Sequence, residues 1–128
     1  MSESCVMGWK DNCLVAELTG EVDHHMAAAL RNVLDAEIRS KAGEGIPIHL
    51  IFDFRSVTFM DSSGIGVIMG RYQTISELGG QVYVAGCDPY VERILSMAGV
   101  FLITVHCNSV EEALTDCLGK AEGQWTQM

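Results

Sequence analysis

Two adjacent serines, Ser62 and Ser63, lie where this sequence best combines reactive side chains with a suitable backbone. Upstream, the apolar run from Ile48 to Phe52 predicts a strand that is covered on both faces. Downstream, apolar residues recur at helical spacing and predict a helix with one stripe facing a core. The first turn of a helix has free N–H groups, so Asp61, Ser62 or Ser63 could cap it. An anion such as a phosphoryl group would also be stabilised there.

The residues around the two serines argue against a hydrolase. The nucleophile elbow of serine hydrolases is G-x-S-x-G, whereas Met60 lies two residues before Ser62 and Asp61 lies two residues before Ser63. Nucleotide-binding loops do not match either. The lysine of G-x-x-x-x-G-K-[ST] is absent, and Gly70 follows Gly64 and Gly66 one residue too late for G-x-G-x-x-G. We therefore do not expect this chain to bind ATP.

Three glycines, Gly64, Gly66 and Gly70, lie in or just before the predicted helix. An interior helical glycine costs about 1 kcal/mol relative to alanine, so some other gain must offset it. Close packing of the helix is the favoured explanation for Gly70. For Gly64 and Gly66 two explanations stay open: close packing, or a first turn without side chains that a protein or a phosphate can approach.

Asp53 follows the central apolar strand, where open α/β sheets place their ligands. A phospho-accepting aspartate of the receiver type would need a metal-binding acidic cluster and a lysine after a late strand. The three lysines, Lys10, Lys41 and Lys120, are not so placed. We expect Asp53 to fix the following loop through hydrogen bonds to its backbone.

The histidines do not form a metal-binding pattern. His24 and His25 are adjacent, so on a helix they diverge by about 100° and cannot share one metal face. We expect a surface pair there, with partner contact as the alternative. His49 lies in the buried strand and is expected to be structural. The sequence thus predicts neither a metal site nor a cofactor.

Composition limits the class of protein. The chain has 128 residues, of which 48% are hydrophobic, and this fits one compact domain. Its net charge of −9 makes nucleic acid an unfavourable partner, because binding to phosphates needs a basic face. The sequence shows neither a signal-peptide pattern nor an apolar stretch that could span a bilayer, so a cytoplasmic protein without membrane insertion is predicted.

The five cysteines are scattered and include no C-x-x-C pair: Cys5, Cys13, Cys87, Cys107 and Cys117. An odd number at irregular spacing does not indicate a disulfide framework. We expect reduced and mostly buried thiols, in keeping with a reducing cytoplasm.

The elements that must position the serines alternate between strand and helix. Two N-terminal strands form a predicted hairpin; Asp23 is the expected N-cap of the helix that follows them. The predicted strands, including the two of the hairpin, are 5–9, 13–19, 48–52, 81–85 and 102–105. Four helices are predicted: one that begins after Asp23, one from about 63 to 78, one that follows Asp88-Pro89, and one from 109 to 118. This order predicts an α/β fold with a mixed, mostly parallel sheet, an antiparallel N-terminal hairpin strand and covering helices. Residues 119–128 are expected to form a polar, frayed tail.

Three blocks of sequence resemble a known family. They are Phe59 to Gly66 (FMDSSGIG), Gly70-Arg71-Tyr72, and Thr19 to His25 (TGEVDHH). Together they resemble the anti-sigma-factor antagonists of the STAS family, and most closely its sporulation branch. The resemblance extends in order over nearly the whole chain. It implies a STAS domain over residues 1–118, followed by the tail 119–128 with Trp125.

The resemblance implies a regulator without catalytic activity. In the family, the serine that matches Ser62 is phosphorylated by a partner that is both a serine kinase and an anti-sigma factor, and a PP2C-like serine phosphatase removes the phosphoryl group. The unphosphorylated antagonist binds the kinase and releases sigma factor; the partner supplies the ATP site. Ser63 would be a cap or contact and not the acceptor. The residues expected to contact the partner are Glu21, Asp23, His24, Asp61, Ser63, Gly64 and Ile65.

Two other functions stay open at this point. One is a STAS module of a signalling scaffold that answers to another kinase. The other is a small hydrolase that uses Ser62 and would turn over generic esters. Label on Ser62 that requires a kinase partner would favour the antagonist.

Overall fold

The computed structural model describes residues 5–123 of the chain, with side chains described as far as Gly119. Five strands and four α-helices alternate after an opening hairpin. Their bounds are β1 Cys5–Lys10, β2 Cys13–Val22, α1 His24–Ala42, β3 His49–Met60, α2 Ser62–Glu77, β4 Val82–Ala85, α3 Pro89–Met97, β5 Val105–Cys107 and α4 Val110–Gly123, with a 3-10 helix at Val100–Leu102 before β5.

The strands form one sheet in the order β1-β2-β3-β4-β5. Only β1 and β2 pair antiparallel, through the hairpin, and the other neighbours are parallel. This confirms the predicted mixed, mostly parallel sheet. Because β2, β3 and β4 run parallel, the chain leaves each of them for a helix at the same side of the sheet. Strands β2 and β3 end together at Val22 and Met60, whereas β4 ends at Ala85, opposite Asp53.

Alternate strand residues face two separate cores. The larger core contains Leu14, Leu50 and Phe52 from the sheet, and α1, α2 and α3 pack on that face. The smaller core lies on the other face under α4 and includes Ile51 and Tyr83. Successive side chains of a strand point to opposite faces of the sheet, and both faces are buried under helices. The continuous apolar run in the sequence predicts this arrangement.

Strand β3 is longer than the apolar run that predicts it. It continues past Phe52 to Met60, because β2 also continues to Val22 and the two pair in parallel to their ends, with irregular register near Thr19 and Glu21. Asp53 consequently lies inside β3 and not at its carboxyl end, so the predicted place of Asp53 was wrong.

The last strand begins later than predicted. Gly99 adopts a left-handed conformation with φ of 80° and ends the α3 region, after which the chain turns once as a 3-10 helix. The Thr104 hydroxyl donates to the Val100 carbonyl over 2.9 Å and closes this turn. Strand β5 therefore starts at Val105, and Leu102, which was predicted to begin it, is 89% exposed.

Helix α4 extends beyond Leu118, its predicted end, as far as Gly123. The division of the chain into a domain at 1–118 and a tail at 119–128 stays a prediction, and Trp125 lies outside the described residues. None of the helices within residues 5–123 is long and apolar enough to cross a membrane.

The prediction of five reduced cysteines was wrong. Cys13, at the start of β2, forms a disulfide with Cys117 of α4. The other three cysteines are free: Cys5, Cys87 and Cys107. The two bridged residues are 104 positions apart, so no local spacing in the sequence indicates that they pair. They meet because α4 packs against the start of β2.

Candidate functional site

The starts of α1 and α2 lie side by side at the carboxyl edge of the sheet. Val22 and Met60, the last residues of β2 and β3, are direct partners in the parallel register. The Asp61 N–H donates to the Val22 carbonyl over 3.4 Å and extends this pairing by one step. Asp23 and Asp61 follow these strand ends and begin the two helices, so the sequence blocks around them share one surface.

Each helix is capped by its aspartate. Asp23 Oδ1 accepts hydrogen bonds from the backbone N–H groups of His25 at 3.1 Å and Met26 at 3.3 Å. Asp61 Oδ1 accepts from the N–H groups of Ser63 at 2.9 Å and Gly64 at 3.4 Å. The predicted cap of α1 is confirmed, and Asp61 is the cap among the three candidates for α2. Both carboxylates are thereby fixed beside the helix starts.

Ser62 is the first residue of α2, and its side chain is exposed. Among the residues whose side chains the structure describes, none forms a hydrogen bond with its hydroxyl. Ser63 is only half exposed, and its N–H is held by Asp61. Of the two hydroxyls, that of Ser62 is the more open to a phosphoryl donor in solution.

Gly64 lets the first turn of α2 press against β2. A Cβ at Gly64 would lie 2.6 Å from the Val22 carbonyl oxygen and 2.9 Å from side-chain carbons of Val22 and Met60. Close packing therefore accounts for Gly64. Nothing lies within 4 Å of a Cβ built at Gly66 or Gly70, so the packing explanation favoured for Gly70 was wrong.

The surface around Ser62 is acidic. The segments 19–27 and 58–66 contain Glu21, Asp23 and Asp61 but neither lysine nor arginine. Exposed His24 and His25 stand beside them, with ring centroids 4.0 Å apart. These histidines form the surface pair that the sequence predicts. The site thus presents negative charge to an approaching partner.

Asp53 and His49 lie away from this surface. Asp53 is 2% exposed, and the backbone N–H of Arg55 donates to its Oδ1 over 3.1 Å, as the expected backbone contact requires. Its carboxylate also accepts from Arg55 Nη2 over 3.0 Å, and this hydrogen bond raises the pKa of Arg55. Buried His49 accepts a hydrogen bond from the Gln81 N–H over 3.0 Å, which confirms a structural role.

The sequence did not reveal a charged contact between α1 and α2. Arg71 Nε lies 3.0 Å from Asp35 Oδ1, and the Arg71 side chain is only 9% exposed. Burial lowers the pKa of Arg71, which the Asp35 carboxylate partly opposes. Arg71 falls on the buried stripe of α2 with Ile68 and Ile75. A charged residue at an apolar position of a helical pattern is the signal that could have indicated this ion pair.

Within the described residues, no group of three His, Cys, Asp or Glu side chains could hold a metal ion. The site can therefore offer hydroxyl, carboxylate and imidazole groups at two helix starts. Of these groups, the Ser62 hydroxyl is exposed at the start of α2.

Comparison with known proteins agrees with this geometry. The family model described as STAS domain matches residues 7–113, a range that contains every strand from β2 to β5 and the site. The chain belongs to the STAS domain family. A curated relative from Paenibacillus polymyxa, named anti-sigma F factor antagonist, is 38% identical over 103 residues, which cover 80% of this chain and 85% of the relative.

Solved STAS structures share the fold. The unphosphorylated form of the anti-sigma factor antagonist SpoIIAA matches with a TM-score of 0.65 and 24% identity, over 88% of this chain and 94% of that protein. The phosphorylated form of SpoIIAA, described as a Bacillus cell fate determinant, also matches with a TM-score of 0.65, at 25% identity over 88% of this chain and 97% of that protein.

Proposed function

We propose that this STAS protein is an anti-sigma-factor antagonist that acts by binding and not by catalysis. In its unphosphorylated form it binds an anti-sigma factor that is also a serine kinase, and sigma factor is released. Phosphorylation of Ser62 by that kinase ends the binding, and a PP2C-like serine phosphatase restores it. The observation that carries this proposal is the exposed Ser62 hydroxyl at the start of α2, in a chain 38% identical to a named antagonist.

The proposed contact surface is formed by the two helix starts. Glu21, Asp23, His24 and Asp61 supply its polar groups, and half-exposed Ser63 and Ile65 lie beside Ser62. Gly64 is buried against Val22, so it supports this surface by letting α2 approach β2. Gly66 is exposed, and nothing lies within 4 Å of a Cβ built there, so a partner backbone could approach the helix at this residue.

Charge explains how one phosphoryl group could stop the binding. It would add about 1.5 to 2 negative charges to a surface that already carries three carboxylates. In the free domain these charges face water, and the positive end of α2 favours them by about 0.3–1 kcal/mol. At an interface, a dianion without a cation beside it costs several kcal/mol, and about 1.4 kcal/mol is a tenfold change in affinity.

The domain itself should change little on phosphorylation. SpoIIAA in its unphosphorylated and phosphorylated forms matches this chain with the same TM-score of 0.65. Both forms thus share the fold of this chain, so we expect phosphorylation to leave the STAS fold in place and to act at the interface. The ATP site would belong to the kinase. We further propose a cytoplasmic location, no contact with nucleic acid and a role in sporulation, which is the branch that the antagonist motifs favour.

The test is co-expression or reconstitution with the cognate kinase. With ATP alone the protein should stay unlabelled; with the kinase present, label should appear at Ser62. Ser62→Ala should abolish the label and retain capture of the kinase, whereas Ser62→Asp should weaken capture at least about tenfold.

Ser63→Ala is the matched control because it changes the neighbouring hydroxyl. It should remain labelled at Ser62. Undiminished capture by Ser62→Asp, or label on Ser63 in the wild type, would contradict the proposal. Hydrolysis of a generic ester that is lost in Ser62→Ala would favour the hydrolase instead.

A further inference from the structure

The disulfide between Cys13 and Cys117 joins the start of β2 to helix α4. Both residues are completely buried in the smaller core, which lies on the face of the sheet opposite α1, α2 and α3. Within the described residues, α4 is the helix that covers this core. The bridge is therefore a covalent tie between the sheet and the cover of its second face.

The same helix is also held by contacts that do not depend on the bridge. Ala113 is buried against the sheet, and Leu114 packs at the border of the same core. The Tyr83 hydroxyl, from β4, donates to the Asp116 carboxylate over 2.7 Å. Because these contacts remain when the sulfur–sulfur bond is broken, the reduced chain can keep α4 in place, with a greater tendency to open.

We propose that Cys13 and Cys117 form a reversible thiol–disulfide site that controls how firmly α4 covers the sheet. The reactant would be a dithiol, either a small molecule or a dithiol protein. One of its thiolates attacks one sulfur of the bridge and forms a mixed disulfide; its second thiol then displaces the cysteine. The sulfur–sulfur bond of the protein is broken, two electrons and two protons pass to Cys13 and Cys117, and the dithiol becomes a disulfide.

Burial of the bridge sets the route of this reaction. Neither bridged residue is exposed, so a dithiol can reach the sulfurs only when α4 opens locally. A third cysteine, Cys107, lies in the same core as a free thiol. Burial raises its pKa, and the nearby carboxylates of Glu112 and Asp116 act in the same direction. Cys107 therefore stays protonated and is a poor nucleophile toward the bridge, which keeps the pairing specific.

Counting thiols tests the site directly. The full chain is treated with oxidised glutathione or with dithiothreitol, the reagent is removed, and thiols are counted in denaturant. We expect three free thiols after oxidation and five after reduction, with peptide mapping that assigns the difference to Cys13 and Cys117. Amide hydrogen exchange of α4 should be about tenfold faster in the reduced form, while α2 should change little.

Thermal unfolding provides the second measurement. Dithiothreitol should lower the Tm of the wild type by about 10 °C or more, because the bridge joins residues 104 positions apart and so closes a long loop. Cys117→Ala should have a Tm close to that of the reduced wild type and should not respond to dithiothreitol. Cys87→Ala is the control: its cysteine packs against the larger core, so the variant should keep the full response.

Five thiols after oxidation would overturn the proposal, as would equal exchange rates of α4 in the two redox forms. If Cys117→Ala fails to fold, the test still stands, because the Tm of the wild type in dithiothreitol also reports the stability without the bridge. None of these measurements involves the kinase or Ser62, so the redox site and the proposed antagonist function can fail separately.

Discussion

At the scale of single residues, two carboxylates of the site accept hydrogen bonds from backbone N–H groups, and one hydroxyl beside them does not take part in such bonds within the described residues. The carboxylates of Asp23 and Asp61 are held by backbone N–H groups, whereas the hydroxyl of Ser62 projects beside them without such a partner within the described part of the chain. Under the proposed function, fixed negative charges beside this hydroxyl would let one phosphoryl group alter the surface without moving the backbone.

Substitutions at Asp23 can separate its capping role from its charge. Asparagine caps a helix about as well as aspartate, so Asp23→Asn should change the free energy of unfolding by less than about 0.5 kcal/mol. Asp23→Ala removes the acceptor for two N–H groups and should cost about 1 kcal/mol. If a basic kinase surface contacts this carboxylate, Asp23→Asn should still weaken capture several-fold. Urea unfolding and binding titrations measure the two effects.

An Asp23→Asn variant that captures the kinase as well as the wild type would assign Asp23 to capping alone. The same would follow if Asp23→Ala lost no more phosphorylation rate than its stability loss explains.

At the scale of elements, two contacts fix α1 and α2 relative to each other and to the strands that precede them. Gly64 presses the first turn of α2 onto the end of β2, close to the Ser62 hydroxyl. Farther along the helices, Arg71 of α2 meets Asp35 of α1. The first contact holds the start of α2 against the strand that leads into Asp23, and the second is an ion pair between the two helices.

Alanine substitutions at two glycines of α2 should have opposite effects on stability. Gly64→Ala would bring a methyl group 2.6 Å from the Val22 carbonyl oxygen, so the turn must shift; we expect a loss of about 1–3 kcal/mol. Gly70→Ala meets nothing within 4 Å and gains helix propensity, so it should stabilise by up to about 1 kcal/mol. Denaturant unfolding of both variants, with equal m-values, checks this. A Gly64→Ala variant as stable as the wild type would contradict the packing argument.

The two sides of the Arg71–Asp35 pair should respond differently to substitution. Arg71 is 9% exposed and Asp35 is 33% exposed, so removing the carboxylate leaves a buried cation without its partner. Asp35→Ala should cost about 3 kcal/mol, whereas Arg71→Met keeps the packing and should cost less than half of that. The double variant should be more stable than Asp35→Ala alone. Equal losses from both single substitutions would contradict this asymmetry.

Elements with strong local signals could be predicted from the sequence, and those that depend on neighbouring strands could not. The cap at Asp23 and the helix from Ser62 have local signatures and were found. The far half of β3 contains exposed polar residues such as Ser56 and Thr58; it is a strand because β2 pairs with it. The start of β5 depends on the left-handed Gly99 and the turn that follows it. A glycine at this place in the sequence is compatible with several turn types, so it does not specify where the strand begins.

The proximity of the two blocks that form the candidate site could be predicted for a related reason, while the roles of their residues stay predictions. Its residues lie in short blocks whose chemistry and family resemblance can be read directly, and parallel strand order predicts that the Asp23 and Ser62 blocks meet. The Cys13–Cys117 bridge and the Arg71–Asp35 pair join residues far apart in sequence. Their pairing depends on the exact placement of α4 on the sheet and of α2 on α1, which periodicity does not specify.

At the scale of the whole molecule, the proposed contact surface and the disulfide lie on elements attached to opposite faces of one sheet. Helices α1 and α2 carry the first, and α4 carries the second. The sheet connects these elements. Cysteine thiols and a tyrosine hydroxyl with raised pKa values lie in or against its two cores. Burial raises the pKa of Cys5 to about 11 and that of Cys87 to about 12. The pKa values of Cys107 and Tyr83 are also raised, chiefly by burial.

These raised pKa values predict that the protein loses stability in alkaline solution. An unfolded chain releases its thiol protons near pH 9, while folded Cys5 and Cys87 keep theirs to about pH 11 and 12. Between those limits the unfolded state binds fewer protons, so the free energy of unfolding falls as pH rises; below pH 8 these groups contribute no slope. Urea midpoints at pH 7.5, 9 and 10.5 measure the decline. The Cys5→Ala/Cys87→Ala double variant should show a shallower decline, and a wild type whose midpoint stays constant up to pH 10.5 would contradict the prediction.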